Sequence, residues 1–251
     1  MRIAQLTDLH VGLPGEDTYG VDVRSNFKNI LNAAVAANPD YLVISGDLCY
    51  HDGQEAIYHW IKTELDATGI PYFLIAGNHD DADMMTEVFQ LNHLTTEGRL
   101  YYEATLGGFP VLFLDTSTYT ADAKQLSWLA ERLRQSQLSD RLVFIHHPPL
   151  LAGVPFMDER YPLSNWAEVL EALNRSSGRL HVFCGHYHVD KVVSYEQLTV
   201  YLTPSTFFQI DDQGPEFAVA HLRPGFRLID WDGRQLIQGV HYLNNEEKPQ
   251  S

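Results

Sequence analysis

A chain of 251 residues with 45% apolar side chains can bury a substantial core, as one large domain or two small ones. Its formal charge of -16, from 17 Lys plus Arg against 33 Asp plus Glu, repels nucleic-acid backbones and anionic membranes and disfavours a nuclease for large DNA. Small phosphate substrates stay open, because bound cations invert a local potential.

The two cysteines, Cys49 and Cys184, are far apart, too sparse for a disulfide framework, so a reducing cytoplasm is the expected home. The N-terminus enters a strand pattern at once, with no cleavage signal, so no signal peptide is expected. No apolar run approaches the length of a membrane span.

Taken in order, Ile3 to Thr7 reads as a buried strand delivering Asp8-Leu9-His10. Phe27, Ile30, Leu31, Ala34 and Val35 recur at helical spacing, and Pro39 closes that helix. Tyr41 to Ser45 is a second buried strand, ending in Gly46-Asp47. Asp52 with Glu55 reads as a capping box opening a helix whose stripe is Ile57, Ile61 and Leu65. A third strand, Tyr72 to Ala76, runs into Gly77-Asn78-His79-Asp80. Gly185 is expected to give backbone freedom for the bend that turns both His186 and His188 inward.

After a short helix around Met84 to Phe89, residues 93–110 read as a hairpin or edge region, and Val111 to Leu114 as a strand ending in Asp115. Leu126, Leu129 and Leu133 mark a helix, and Leu142 to Ile145 a strand ending in His146-His147-Pro148-Pro149. Ser164 is the expected cap of a helix carrying Val169, Leu170 and Leu173. Leu180 to Cys184 runs into Gly185-His186-Tyr187-His188. Short strands then follow at 190–195, 198–203, 217–222, 226–231 and 235–242, and the tail after Leu243 is polar and expected to be loose.

The pattern is a single α/β domain over 1–251: an α/β portion over 1–188, a β-rich portion over 189–243 and a tail over 244–251. Such an order suggests two sheets packed face to face with helices outside, a four-layer α-β-β-α sandwich.

Chemistry concentrates at the strand ends: Asp8, His10, Asp47, Asn78, His79, His146, His147, His186 and His188. Any one of these is unremarkable as a turn or core residue, but several strands end alike. A mixed nitrogen and oxygen set suits Zn, Mn or Fe, whereas calcium wants oxygens alone. So many donors exceed the needs of one tetrahedral ion and point to two, about 3.5 Å apart, sharing a carboxylate.

These blocks, Asp8-Leu9-His10, Gly46-Asp47, Gly77-Asn78-His79-Asp80, His146 and Gly185-His186-Tyr187-His188, resemble those of the calcineurin-like metallophosphoesterases. Within that family, His146-His147-Pro148-Pro149, Thr203-Pro204-Ser205-Thr206 and Arg223-Pro224-Gly225-Phe226-Arg227 look most like the bacterial class III cyclic-nucleotide phosphodiesterases and related glycerophosphodiesterases. The resemblance implies a first metal on Asp8, His10 and His188, a second on Asn78, His146 and His186, and Asp47 as the bridge. It implies that His79 protonates or stabilises the leaving oxygen, as an imidazole can near neutral pH. Some relatives pair this histidine with an Asp where Tyr50 stands here, leaving Asp52 or Asp80 as its partner. Catalysis would rest on His79, Asp47 and Asn78, and substrate contacts on Asn78, His79, His147, Thr206 and Phe207, with Phe208 and Phe156 as further candidates for a base-binding wall.

The resemblance thus implies a phosphodiesterase with two Fe, Mn or Zn ions that activate water against a small phosphodiester, 3',5'-cyclic AMP first. A glycerophosphodiesterase or broad-specificity diesterase is the alternative. A metal-binding scaffold without catalysis is a reading of a different class, against which the Asn78-His79 pair argues. No nucleic acid and no membrane are expected as partners, and a homodimer is compatible with the sequence.

Overall fold

Runs of four to six residues rich in Val, Ile, Leu and Phe, bounded by Gly, Asp or His, are buried on both faces when they form strands, as parallel strands between helices must be. The computed structural model describes residues 1–96, 98–135 and 140–243, so the tail expected to be loose lies outside the described residues. In chain order the elements are β1 (Arg2–Leu6), α1 (Val23–Ala36), β2 (Tyr41–Ser45), α2 (Glu55–Asp66), β3 (Tyr72–Ile75) and α3 (Ala82–Val88). The hairpin β4 (Tyr102–Leu106) and β5 (Phe109–Leu114) follows, then α4 (Ala123–Gln135), β6 (Asp140–Ile145), α5 (Pro155–Arg160), α6 (Trp166–Leu173) and β7 (Arg179–Cys184). The last part holds β8 (Lys191–Tyr195), β9 (Leu198–Leu202), β10 (Gln209–Ile210), β11 (Val219–His221), β12 (Gly225–Trp231) and β13 (Leu236–Tyr242).

Two mixed sheets result. The first has the order β13-β12-β1-β2-β3 and the second β4-β5-β6-β7-β9-β8, with β10 and β11 as a separate ribbon. β1, β2 and β3 run parallel, as do β5, β6, β7 and β9. Apart from the β10-β11 ribbon, the β-rich portion joins the two main sheets: β12 and β13 extend the first antiparallel to β1, while β8 and β9 extend the second.

The period of two along the strands sorts side chains between layers. On β6, Leu142 and Phe144 join the core that holds the first sheet, α1 and α2, while Val143 and Ile145 join the core under α4 and α6. Helices therefore flank two packed sheets, as expected. An aromatic ladder crosses the inner face of the second sheet: Tyr102, Phe113, Phe144, Phe183 and Tyr201 stack with centroid spacings of 4.7, 5.4, 5.3 and 4.8 Å. Phe73 of β3 stacks on Phe113 at 5.4 Å, joining the sheets. Each such pair adds about 0.5–1.5 kcal/mol beyond its buried area.

A buried polar thread also links the sheets. Arg227 on β12 donates to Thr203 Oγ1 (3.0 Å) and to Leu202 O (2.8 Å), Thr203 donates to Gln5 Oε1 (2.7 Å), and Gln5 donates to Ser45 Oγ (2.9 Å). Buried polar groups are tolerated when each is paired in this way.

Two caps differ from the sequence expectation. Asp52 is exposed and caps nothing, because the chain stays extended through Gln54 (φ -136°, ψ 125°) before α2 begins at Glu55. Ser164 precedes the N-cap Asn165, whose amide is spent on both backbone groups of Ala121, so α6 has no side-chain cap. The strand expected over 217–222 shrinks to Val219–His221. Among the described residues, no helix is long and apolar enough to cross a membrane.

Candidate metal centre

The C-terminal ends of the parallel strands of both sheets meet at one seam, where α/β folds place ligands. Asp8 and His10 follow β1, Asp47 follows β2, and Asn78 and His79 follow β3; His146 and His147 follow β6, and His186 and His188 follow β7. The turns are tight: Asp8 (φ 53°), His10 (44°), Asp47 (53°), His186 (65°) and His188 (51°) all occupy the left-handed region. Non-glycine residues there cost of order 1 kcal/mol or more each and persist where surrounding structure fixes them. Gly185 is not itself left-handed, contrary to the sequence expectation. It is small because a Cβ would collide with Thr7 and Asp8, and His186 and His188 make the bend.

Metal-binding donors gather in overlapping groups whose ligand atoms lie within 4.8 Å: Asp8, His10 and His188; Asp8, Asp47 and His146; His10, Asp47 and His79; and His146, His147 and His186. In the first group, His10 Nε2 faces His188 Nε2 at 3.1 Å, and His188 Nε2 lies 3.3 Å from Asp8 Oδ1. Asp47 Oδ2 stands between the two halves, 3.3 Å from His146 Nε2 and 3.7 Å from His10 Nε2.

The imidazoles are held from behind, which fixes the nitrogen each presents. His146 Nδ1 donates to Ser45 O (2.9 Å), His188 Nδ1 to Phe208 O (3.0 Å) and His186 Nε2 to Tyr161 O (2.9 Å). The backbone N–H of His186 donates to both oxygens of Asp8 at 3.0 Å. Asp158 of α5 fixes this corner, accepting from Tyr187 Oη (2.9 Å) and from the backbone of Ala152, Gly153 and Val154.

Burial and neighbouring charge pull these donors in different directions. Burial works against the charges of Asp8 and Asp47, yet His188 and His146 respectively hold both carboxyls below their ordinary range. Burial pushes His10 down to about 3 and His186 down to about 4, keeping both neutral as ligation requires. For His146 burial also pulls downward, but Asp47 and Asp8 outweigh it and raise the ring to about 9. Three buried donor atoms of the site, Asn78 Oδ1, His146 Nε2 and His147 Nε2, have no hydrogen-bond partner among the described residues, a pattern that suits ligation of a cation. Two clusters of His and Asp donors thus suit a dinuclear site for divalent metal ions.

A cavity of 570 Å³ opens above this floor, lined by His10, Asp47, Asn78, His79, His186 and His188 and walled by aromatic side chains. His79 is half-buried, its ring 4.9 Å from that of His10. Its backbone N–H donates to Asp47 Oδ1 (2.9 Å), and its Nδ1 contacts His51 O at 2.7 Å. Neither Asp52 nor Asp80 partners it. Asp80 instead accepts from Leu48 N (3.1 Å), Cys49 N (3.3 Å), Gly77 N (2.9 Å) and Tyr58 Oη (3.1 Å), and burial raises its carboxyl to about 6.

Of the residues expected to touch substrate, Asn78, His79 and Phe207 line the cavity. His147 and Thr206 are fully buried and do not. His147 Nδ1 pairs with Thr116 Oγ1 at 2.8 Å, and Thr206 Oγ1 reaches Asp8 O at 3.4 Å. Sequence reasoning missed Tyr19, Tyr50 and Phe217 in the walls, and nothing in their spacing marks them. A second concavity of 420 Å³ shares Asn78 and His79 but is lined by Asp52, Asp81, Asp83 and Arg99 rather than by the histidine ligands.

This sandwich and centre define a metal-dependent hydrolase. The model of the calcineurin-like phosphoesterases matches residues 1–190, and the chain belongs to that family. It is 36% identical over 245 residues to a Fibrobacter succinogenes protein named "Probable cyclic nucleotide phosphodiesterase", covering 98% of this chain and 94% of that one. It is 26% identical over 260 residues to the glycerophosphodiester phosphodiesterase GpdQ of Enterobacter lignolyticus, covering 92% and 90%. Among solved structures, a dimetal phosphatase from Danio rerio shares the fold with a TM-score of 0.64 at 16% identity, over 94% of this chain and 98% of that one.

Proposed function

We propose that this protein is a phosphodiesterase of small molecules, with 3',5'-cyclic AMP, hydrolysed to 5'-AMP, as its first substrate. The observation that carries the reading is the position of His79, which lines the cavity beside both donor clusters. Asp8, His10 and His188 would hold one ion, Asn78, His146 and His186 the other, and Asp47 would join them. When bound, two such ions neutralise phosphoryl oxygens and make water a nucleophile at neutral pH. The chain itself does the rest. Asn78 and His79 orient the phosphoryl group at the mouth of β3, and the His51 carbonyl fixes the His79 ring through Nδ1, leaving Nε2 to hold or hand over a proton. Such positioning supplies much of the barrier lowering in phosphoryl transfer.

The choice of cyclic AMP is supported by the likeness to the Fibrobacter protein. Glycerophosphodiester hydrolysis is the second reading, supported by the likeness to GpdQ. Buried, unpaired Cys49 and Cys184 fit a reducing compartment, and we take the cytoplasm as the site of action. Side-by-side kcat/KM values for cyclic AMP, glycerophosphocholine and p-nitrophenyl phosphate on the metal-loaded protein decide between them. Cyclic AMP is expected to lead. A tenfold or larger advantage for glycerophosphocholine, about 1.4 kcal/mol of transition-state stabilisation, hands the assignment to the second reading.

A further inference from the structure

The aromatic wall begins in the core, where Phe207 and Phe208 are buried, and ends at an exposed ring. Phe207 packs against the ligand histidine His10 at 5.3 Å and against Phe208 at 4.2 Å. Tyr50 meets Phe207 edge-on at 5.9 Å. On this cluster stands Tyr19, T-shaped to Tyr50, Phe207 and Phe208 at 6.5, 6.2 and 5.8 Å, yet 66% exposed. The cluster thus runs without a break from the ligand His10 to the rim of the cavity.

Tyr19 is not there by slack in the loop. Its backbone is left-handed (φ 54°), and the turn is closed by Gly20 N to Asp17 Oδ1 (2.9 Å), Val21 N to Thr18 O (2.9 Å) and Thr18 Oγ1 to Val21 O (2.6 Å). A turn so fixed holds the ring out over the cavity at a cost in backbone strain. Phe217, 44% exposed, packs on Phe208 at 5.9 Å and extends the same wall. Among the described residues, no Lys or Arg lines this cavity. The part of a substrate lying beyond its phosphoryl group therefore meets rings and no fixed cation.

We propose that Tyr19, backed by Tyr50 and by the buried Phe207 and Phe208, is the exposed face of a stacking clamp for a planar aromatic group on the phosphoester, making Tyr19 a specificity-determining residue that favours nucleobase-bearing ligands over polyol or head-group esters. This rests on the phosphodiesterase reading above and names the substrate class of the same site. Every nucleobase has a π-face, so stacking of this kind is tolerant of which base is present.

The test is a binding comparison that needs no turnover. Dissociation constants of 5'-AMP and ribose 5-phosphate are measured by calorimetry on the Mn-loaded protein, on Tyr19→Ala and on Tyr19→Phe, with metal content checked in each. The two ligands share the phosphate and the sugar and differ in the base. The clamp predicts at least tenfold tighter binding of 5'-AMP to the parent protein. Tyr19→Ala should weaken 5'-AMP about tenfold and ribose 5-phosphate less than twofold, and Tyr19→Phe should keep the parent ratio. Equal affinities in the parent protein, an equal loss for both ligands in Tyr19→Ala, or an unchanged ratio in that variant overturns the proposal. Failure of the loaded protein to hydrolyse any diester would sink the phosphodiesterase reading and leave this comparison intact.

Discussion

At the scale of single residues, the centre depends on side chains that would be strained or crowded elsewhere. Thr7 and Asp8 occupy the space that a Cβ on Gly185 would take. Gly185→Ala should displace Asp8 and cost about 1–3 kcal/mol of stability, with a roughly 10–100-fold loss of metal affinity. Thermal unfolding and metal titration measure both, and an unchanged affinity would show that the loops have room to give. His79 is a different case: it lines the cavity beside His10 and Asp47, while its Nδ1 contacts His51 O. His79→Ala should retain its metals and lose ~10²–10⁴-fold in kcat on esters with poor leaving groups. The loss should shrink for bis(p-nitrophenyl) phosphate, whose leaving group scarcely needs a proton. A uniform loss would instead mean that His79 acts by charge alone. The donor residues were legible in the sequence because their chemistry resides in their side chains and their spacing at strand ends repeats. The partner of His79 was not, because it is the main-chain carbonyl of His51, a group every residue owns.

At the scale of elements, the strands that aim the donors were legible as short apolar runs, while helix starts were less so. A capping box can be read only if the helix begins where the box requires, and extended backbone at Gln54 moves that start beyond Asp52. One working cap is Asp22, whose Oδ1 accepts from Ser25 N at 3.0 Å at the head of α1. Asp22→Ala should therefore cost about 1 kcal/mol, and Asp52→Ala should fall within about 0.5 kcal/mol of the parent protein. Urea denaturation of the two variants checks the contrast, and the opposite ranking would restore the capping box. β10 escaped notice because two residues, Gln209 and Ile210, carry no period. Its ribbon matters nonetheless, since it follows Phe208, whose carbonyl orients His188.

At the scale of the whole molecule, the sandwich was legible from the alternation of strand and helix patterns, but the division of strands was not. Local sequence says little about which sheet receives a late strand. That choice is made by tertiary contacts such as Arg227 with Leu202 O, which join β12 of the first sheet to β9 of the second. The consequence is functional: two of the donor groups draw from both sheets, Asp8 and His10 meeting His188 across the seam, and Asp8 and Asp47 meeting His146. A lone ion would leave donors of the other cluster mutually repelling or idle. The most direct test is titration of the metal-free protein with Mn while bound metal and hydrolysis of bis(p-nitrophenyl) phosphate are followed together. The dinuclear account predicts that activity climbs chiefly with the second equivalent and levels at two ions per chain. Full activity at one ion per chain, or no hydrolysis once two are bound, would contradict it.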